Sequence, residues 1–233
     1  GPDSQDQHIR NTYVRMIHKA KKSIYIQTPY FIPDESLMNA LLIALRSGVE
    51  VNIMIPCKPD HPFVYWATYS YVGELVLEGA KCYTYQNGFL HAKGIVVDEL
   101  VLCYGTANMD IRSFALDFEV NAIIYDEQKA EEMVEYFKKD VEDSKLLTKN
   151  KYQSRSLYIR FKEQMYQMLE VANNQCAVMV VSHDIAEILQ YTKNIACVNH
   201  TMHYHSAANM PKEKLEEHFL NMNRKTDSIY ENN

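Results

Sequence analysis

The chain has 233 residues, a formal net charge of −6, and 47% hydrophobic and 23% charged residues. This composition is typical of a globular protein with a buried core, which argues against a largely disordered chain. The acidic balance argues against a broad nucleic-acid-binding surface, because affinity for a phosphate backbone comes from clustered Lys and Arg. We therefore expect a folded protein of one or two domains that does not bind nucleic acid.

The hydrophobic runs are short. The longest, such as Leu41–Leu45 and Ala177–Val181, fall far below the roughly 20 residues that a membrane-spanning helix needs. No signal peptide is visible. The sequence begins with Gly1 rather than Met, which suggests a fragment or a processed chain. We expect no transmembrane segment within these residues.

Helices and strands alternate along most of the chain. Apolar periodicity predicts helices at His8–Lys21, Glu35–Arg46, residues 61–79, Glu127–Glu142 and Tyr152–Asn173. It predicts strands at Ser23–Thr28, Val49–Pro56, Lys81–Gln86, Leu90–Val97, Val101–Gly105 and Phe118–Tyr125. This alternation favours an α/β fold in which a mixed β-sheet lies sandwiched between helices on both faces.

The clearest chemical signal begins at His91. The residues from there to Asp98 follow the pattern His-x-Lys-x4-Asp, and Gly-Thr-Ala-Asn follows at 105–108. A neutral imidazole can attack phosphorus and hold the phosphoryl group covalently, which divides one difficult displacement into two easier ones. Lys93 offers a positive charge, and Asn108 offers amide donors, to the non-bridging oxygens. The pattern predicts phosphoryl-group chemistry that requires neither a metal nor a cofactor.

Alternation within this segment also predicts an orientation. If His91–Asp98 is a half-buried strand, His91 and Lys93 lie on the same face, because successive side chains of a strand point to opposite faces. Asp98 lies just after the strand. That position favours pairing with backbone or a neighbouring cation over contact with substrate.

At these residues the sequence resembles the phospholipase D superfamily, whose signature is this HKD motif. The segments Ile24–Asp34, Asn108–Phe114 and Phe118-Glu119 are similar to the C-terminal half of bacterial cardiolipin synthases, and the resemblance covers roughly residues 1–165. It implies a phospholipase D-like fold and a phosphatidyltransferase that acts on phosphatidylglycerol or another glycerophospholipid. It also implies work at the cytoplasmic face or surface of the bacterial plasma membrane.

The resemblance assigns phosphate binding to three residues. They are Lys93, Asn108 and Thr106, where Thr106 replaces the usual serine and keeps the hydroxyl.

The resemblance also assigns a catalytic group. His91 would be the nucleophile or its acid/base partner, and Glu119 would accept a hydrogen bond from the far nitrogen of His91 and so set its tautomer. Asp98 completes the motif, so we include it with His91, Lys93 and Glu119 among the candidate catalytic residues.

The motif occurs only once in the sequence. In this superfamily the site is built from two such motifs, so that one histidine attacks while the other protonates the leaving alkoxide. General acid catalysis of this kind raises the reaction rate by about a hundred- to ten-thousandfold. The second motif must come from a symmetric homodimer or from an N-terminal half that is missing here.

Two alternatives stay open at this point. A metal-independent, dimeric phosphodiesterase or nuclease of the same superfamily would use the same residues, although the acidic balance disfavours it. An inactive partial or fusion chain would contain only one of the two motifs.

The character of the sequence changes after about residue 165. The segment Cys176–Asp184 predicts a buried strand, followed by helices at Ile185–Thr192 and Pro211–Phe219, so we expect a small α/β appendage. This part resembles the C-terminal tail of a zinc-importer ABC ATPase. No glycine follows Gly105, so the tail has no phosphate-cradling loop and we expect no nucleotide hydrolysis.

The appendage contains several histidines. His183 stands where such ATPases contact the γ-phosphate, and without that loop we interpret it as vestigial. His200, His203 and His205 lie near Cys197, but short histidine clusters without a second ligand group are usually solvated or packed, so we expect no metal. We divide the chain into residues 1–165 and 166–233, two unrelated parts that are joined without a Pro/Gly/Ser linker.

Overall fold

The computed structural model describes residues 6–58, 62–161, 164–165, 168, 194–199 and 201–206. By internal contacts the chain divides into two compact units, Gly1–Val178 and Met179–Asn233. The division at 165/166 stays a prediction. Several predicted features lie outside the described residues, namely the elements at 176–184, 185–192 and 211–219 and the residues His183 and His200.

Among its described residues the first unit contains nine strands, the helices α1–α6, and further helical residues from 157 onward. The helices are α1 (His8–Lys19), α2 (Glu35–Arg46), α3 (Pro62–Glu78), α4 (Ile111–Ala115), α5 (Glu127–Glu142) and α6 (Lys149–Gln153). The strands are β1 (Ser23–Gln27), β2 (Phe31–Ile32), β3 (Glu50–Pro56), β4 (Lys81–Tyr85), β5 (Gly94–Val97), β6 (Val101–Gly105), β7 (Met109–Asp110), β8 (Asn121–Ile124) and β9 (Ser144–Leu147).

Seven of these strands form one sheet, in the order β8-β6-β5-β1-β3-β4-β9. β1, β3 and β4 run parallel to one another, whereas β5, β6, β8 and β9 pair antiparallel with their neighbours. The sheet is therefore mixed, as the sequence predicted. β2 and β7 form a separate two-stranded parallel pair.

Helices cover both faces of the sheet, which confirms the predicted layering. On one face Ile95 and Val97 of β5 belong to the large core that includes residues of α1, α2 and α3. On the other face Val96 packs with Ala130 and Val134 of α5. Alternate residues of one strand thus bury on opposite sides, as the two-residue period of a strand requires.

Several predicted boundaries are wrong. The strand predicted at 90–97 begins at Gly94, because its partner β1 ends at Gln27, the residue that pairs with Gly94. The strand predicted at 118–125 covers only Asn121–Ile124. The helix predicted from Tyr152 is interrupted, since α6 ends at Gln153 and helix resumes only at 157.

The second unit contains one described hairpin. β10 (Asn194–Asn199) pairs antiparallel with β11 (Thr201–Ser206), and Cys197 lies opposite His203 in the register. Within the residues that the structure describes, no helix is long and apolar enough to cross a membrane.

Candidate active site

The two parts of the motif meet at one edge of the sheet. Gly94, the first residue of β5, pairs with Gln27 at the end of β1 and with Tyr104 near the end of β6. The pair of β2 and β7 places Phe31 beside Met109, so the segment after β1 lies along the segment after Asn108. Strand pairing therefore brings together residues that are distant in the sequence.

His91 is exposed just before β5. Its neighbours Leu90 and Ala92 pack into the core cluster that contains Met54 and Phe137. The exposed ring of Phe89 lies 5.9 Å from the imidazole, centroid to centroid, with 38° between the ring planes. An exposed imidazole on an anchored segment is accessible to a substrate at the surface.

Lys93 is buried, with 8% of its surface exposed. Its Nζ donates a hydrogen bond to the backbone oxygen of His91 at 2.9 Å, and its own backbone oxygen accepts one from the amide of Gly105 at 3.2 Å. The prediction that a strand carries His91 and Lys93 is wrong, because both residues precede β5, and their placement on one face stays a prediction. The ammonium nevertheless lies against the His91 backbone.

Asn108 has an unusual carbonyl group. Its side-chain Oδ1 is buried and finds no hydrogen-bond partner among the described residues, while its backbone amide donates to Ser113 Oγ at 3.2 Å. A buried acceptor without a partner costs free energy, so such atoms often mark places where a ligand or a partner group arrives. The atom is an acceptor and would need a donor rather than a phosphate oxygen, so phosphate binding through the Asn108 amide donors stays a prediction.

Thr106 is exposed and its hydroxyl is engaged by the backbone. Thr106 Oγ1 accepts a hydrogen bond from the amide of Val120 at 3.0 Å, and the Thr106 amide donates to the Val120 oxygen at 2.9 Å. These bonds fix the 105–108 loop to the segment before β8. Phosphate binding by Thr106 stays a prediction.

Asp98 lies at the other end of β5 from His91. Its carboxylate accepts hydrogen bonds from the amides of Lys21, Lys22 and Ser23 at 2.8, 2.7 and 2.9 Å. The expectation that Asp98 pairs with backbone is confirmed. Seven residues of extended chain span about 20 Å, so the structure does not bring this carboxylate to His91.

Glu119 is half-buried in the segment before β8. Within the described residues its carboxylate makes no hydrogen bond with His91. Its contact with the imidazole therefore stays a prediction.

An apolar surface lies beside the site. We call residues 116–125 the edge segment, because β8 is the outermost strand on this side of the main sheet. Exposed large side chains share this segment, namely Leu116, Phe118, Val120, Ile123, Ile124 and Tyr125. Single exposed apolar residues are ordinary, but six large ones within ten residues are more than scattered exposure gives.

The sequence did not reveal two polar residues that shape the site. Asp110 is buried and caps α4 by accepting a hydrogen bond from the Ser113 amide at 2.7 Å, and burial raises its pKa above the usual 3.8. Thr28 Oγ1 accepts one from the Met109 amide at 3.3 Å. Asp is a preferred N-cap residue, and this preference is the signal that could have identified Asp110.

The first unit has the fold of phospholipase D-like proteins. It is similar to the phospholipase D family member Nuc from Salmonella typhimurium, with a TM-score of 0.54 and 23% identity over 60% of this chain and 90% of that chain. It is also similar to phosphatidylserine synthase from Haemophilus influenzae, with a TM-score of 0.56 and 19% identity over 72% of this chain and 43% of that chain. These likenesses confirm the predicted fold class.

The family model described as the PLD-like domain of cardiolipin synthase matches residues 13–141, so the chain belongs to this family. It is 57% identical over 169 residues to the major cardiolipin synthase ClsA of Bacillus subtilis. It is 56% identical over 169 residues to cardiolipin synthase 1 of Staphylococcus epidermidis. Each alignment covers 72% of this chain and 34% or 35% of the relative. The chain therefore spans about a third of the length of the curated relatives that it matches.

Proposed function

We propose that this chain is a catalytic half of a cardiolipin synthase-like phosphatidyltransferase that acts on phosphatidylglycerol through a phosphohistidine. The observation that carries the proposal is the exposed side chain of His91, whose backbone oxygen accepts a hydrogen bond from the buried Lys93 ammonium at 2.9 Å. Membership in the cardiolipin synthase family supports the choice of substrate.

In the first step a nitrogen of His91 attacks the phosphorus of phosphatidylglycerol. A P–N bond forms, the P–O bond to glycerol breaks, and the leaving alkoxide takes a proton from a general acid. In the second step the hydroxyl of another phosphatidylglycerol attacks, the P–N bond breaks, and the acceptor proton passes to a base. Lys93 and the Asn108 amide would stabilise the non-bridging oxygens.

The general acid of this scheme comes from a second HKD motif, which a second copy of the chain or a separate N-terminal half supplies. The apolar edge segment beside the Thr106 loop supports the presence of such a partner. We place the reaction at the cytoplasmic surface of the bacterial plasma membrane, since both substrates are lipids.

The test uses vesicles that contain labelled phosphatidylglycerol. We expect cardiolipin and glycerol from the wild-type chain, and a fall of at least about a thousandfold in His91→Ala, as when a nucleophile is removed from other covalent enzymes. His18→Ala removes an exposed histidine of α1 and is the matched control. Mass spectrometry under alkaline conditions should detect a phosphatidyl group on His91.

Cardiolipin formation by His91→Ala would overturn the assignment of the nucleophile. Cleavage of bis(p-nitrophenyl) phosphate or DNA in EDTA, without lipid transfer, would instead indicate a phosphodiesterase or nuclease. A wild-type chain that is strictly monomeric and inactive would indicate a partial chain without catalysis.

A further inference from the structure

Phe89 touches the proposed nucleophile, although no step of the scheme above uses it. Its ring centroid lies 5.9 Å from that of His91 with the planes tilted by 38°, and 44% of its surface is exposed. An aromatic ring at this distance is in contact with its neighbour. One side of the imidazole therefore lies against an apolar ring.

The backbone before Phe89 is fixed by hydrogen bonds. These bonds hold the residue in place although its ring is exposed. The amide of Gln86 donates to the backbone oxygen of Asp143 at 2.9 Å, and Asn87 Nδ2 donates to Asp143 Oδ2 at 3.2 Å. Gly88 then turns the chain with a φ of +100°, a conformation that side chains other than glycine rarely adopt.

The backbone after Phe89 is fixed as well. Leu90 is 6% exposed and packs with Met54 and Phe137 in the core beneath α5. Leu90 and Ala92 point inward while Phe89 and His91 are exposed, as expected for alternate residues of an extended chain. This short segment thus presents two rings side by side at the surface.

We propose that Phe89 determines acceptor specificity by shielding the phosphohistidine from water, so that transfer to a lipid alcohol is favoured over hydrolysis. This inference rests on the proposed function. Phe89 is a specificity residue here, because it supplies no proton and no electron pair.

The chemistry allows either acceptor from the same intermediate. An oxygen of water or of a lipid hydroxyl attacks phosphorus, a P–O bond forms, the P–N bond breaks and returns its electron pair to His91, and the acceptor proton passes to the base. Water gives phosphatidic acid, and phosphatidylglycerol gives cardiolipin. The ratio of products therefore depends on which acceptor occupies the side of the imidazole that Phe89 covers.

A phenyl ring favours the lipid at that position for two reasons. It displaces water from the side of the P–N bond that it covers, and it offers apolar surface to an acceptor that carries acyl chains. Discrimination by apolar contacts of this size is worth about ten- to two-hundredfold.

The test compares Phe89→Ala and Phe89→Leu with the wild-type chain on labelled phosphatidylglycerol vesicles, with both products measured. We expect the ratio of cardiolipin to phosphatidic acid to fall about tenfold in Phe89→Ala and less in Phe89→Leu. Phe161→Ala truncates another exposed phenylalanine, 64% exposed, and should leave the ratio unchanged.

An unchanged ratio in Phe89→Ala overturns the inference, and so does an equal fall of both products. A wild-type chain that forms a dimer yet consumes no phosphatidylglycerol overturns the proposed function and this inference together. The ring contact has its own readout, since the His91 imidazole proton resonances, assigned by their loss in His91→Ala, should shift in Phe89→Leu when the ring current is removed. Identical shifts in the two proteins would also overturn the inference.

Discussion

At the scale of single residues, the site depends on the contrast between an exposed imidazole and a buried cation. Lys93 is 8% exposed, whereas His91 is open to solvent. A charge in less polar surroundings acts more strongly on a nearby anion than the same charge in water. The backbone oxygen of His91 compensates part of the cost of burying the ammonium. The position of Lys93 therefore favours the binding of a phosphate at His91.

Asp98 gives the first residue-scale prediction. Asp98→Ala removes an acceptor that serves three backbone amides, so it should lower the free energy of unfolding by about 1–3 kcal/mol. Asp98→Asn keeps one acceptor oxygen and should lower the free energy of unfolding by less. Urea unfolding measures both values, and lipid transfer per folded molecule should be unchanged. Loss of turnover without loss of stability would instead show that Asp98 is catalytic.

Asp110 gives a prediction about pH. Because burial raises its pKa in the folded protein above 3.8, folding favours the protonated carboxyl. Its contribution to stability is therefore present below the usual carboxyl range and is lost as the pH rises through the raised value. Asp110→Asn stays neutral, and its side-chain oxygen can still cap the Ser113 amide.

The difference in unfolding free energy between wild type and Asp110→Asn should therefore shift in favour of the variant between about pH 3 and about pH 7. Urea unfolding at several pH values measures this difference. A difference that does not change with pH would contradict a raised pKa at Asp110.

The residue roles were only partly visible in the sequence. Asp98 follows an apolar strand. This position indicated a structural contact, because a residue beyond the end of a strand need not share a face with His91. The burial of Lys93 was not visible, because lysine side chains are usually exposed and this one lies just before β5. Phe89 was missed because an exposed aromatic in a loop has no pattern of its own.

At the scale of elements, Gly94 couples β5 to β6. A Cβ at this position would lie 2.5 Å from Cγ of the Tyr104 side chain, so only glycine allows the ring to lie over the strand. The Tyr104 hydroxyl then donates to Gln27 Oε1 at 2.9 Å, and Gln27 Nε2 donates to Asp140 Oδ2 at 2.9 Å. The burial of Tyr104, together with the charge of Asp140, raises the pKa of its hydroxyl, which stays protonated as a donor.

Gly94→Ala should therefore lower the free energy of unfolding by about 1–3 kcal/mol through overpacking. The loss should be similar in a Tyr104→Phe background, which keeps the ring, and smaller in Tyr104→Ala, which removes it. Chemical unfolding of the single and double variants measures this coupling. Equal losses in both backgrounds would show that the ring is not the obstacle.

Apolar periodicity predicted the longer elements of the first unit, because each buries a regular set of side chains. β9 was missed because only Leu147 of its four residues is buried. The pair of β2 and β7 was missed because two-residue strands have no period. After α6 a new helical segment begins, where Ser156 Oγ accepts a hydrogen bond from the Ile159 amide.

At the scale of the whole molecule, contacts within one chain do not explain why the edge segment exposes large apolar side chains. Phe118 and Val120 are 76% and 71% exposed, next to the loop that carries Asn108. The mixed sheet itself was predictable from alternating elements. The exposure of Phe118 and Val120 was not predictable, because both residues lie just before β8, where the strand period does not apply.

If a second copy supplies the second motif, the wild-type chain should have twice the mass of 27.1 kDa in solution. Phe118→Ser with Val120→Ser should weaken that association and reduce lipid transfer in proportion. Ile43→Ser changes an exposed apolar residue of α2 and is the matched control. Light scattering coupled to size exclusion, with the lipid assay on the same fractions, measures both. An unchanged dimer in the double variant would place the interface elsewhere.

The position of β1 also has a consequence for how the protein folds. β1 lies between β5 and β3, and Asp98 bonds to the amides of Lys21–Ser23. β5 can thus pair with β1 only after about seventy intervening residues have been synthesised and a long loop has closed, which makes this step slow. Recovery of transfer activity during refolding would accordingly report completion of the central sheet, later than the formation of helices such as α5.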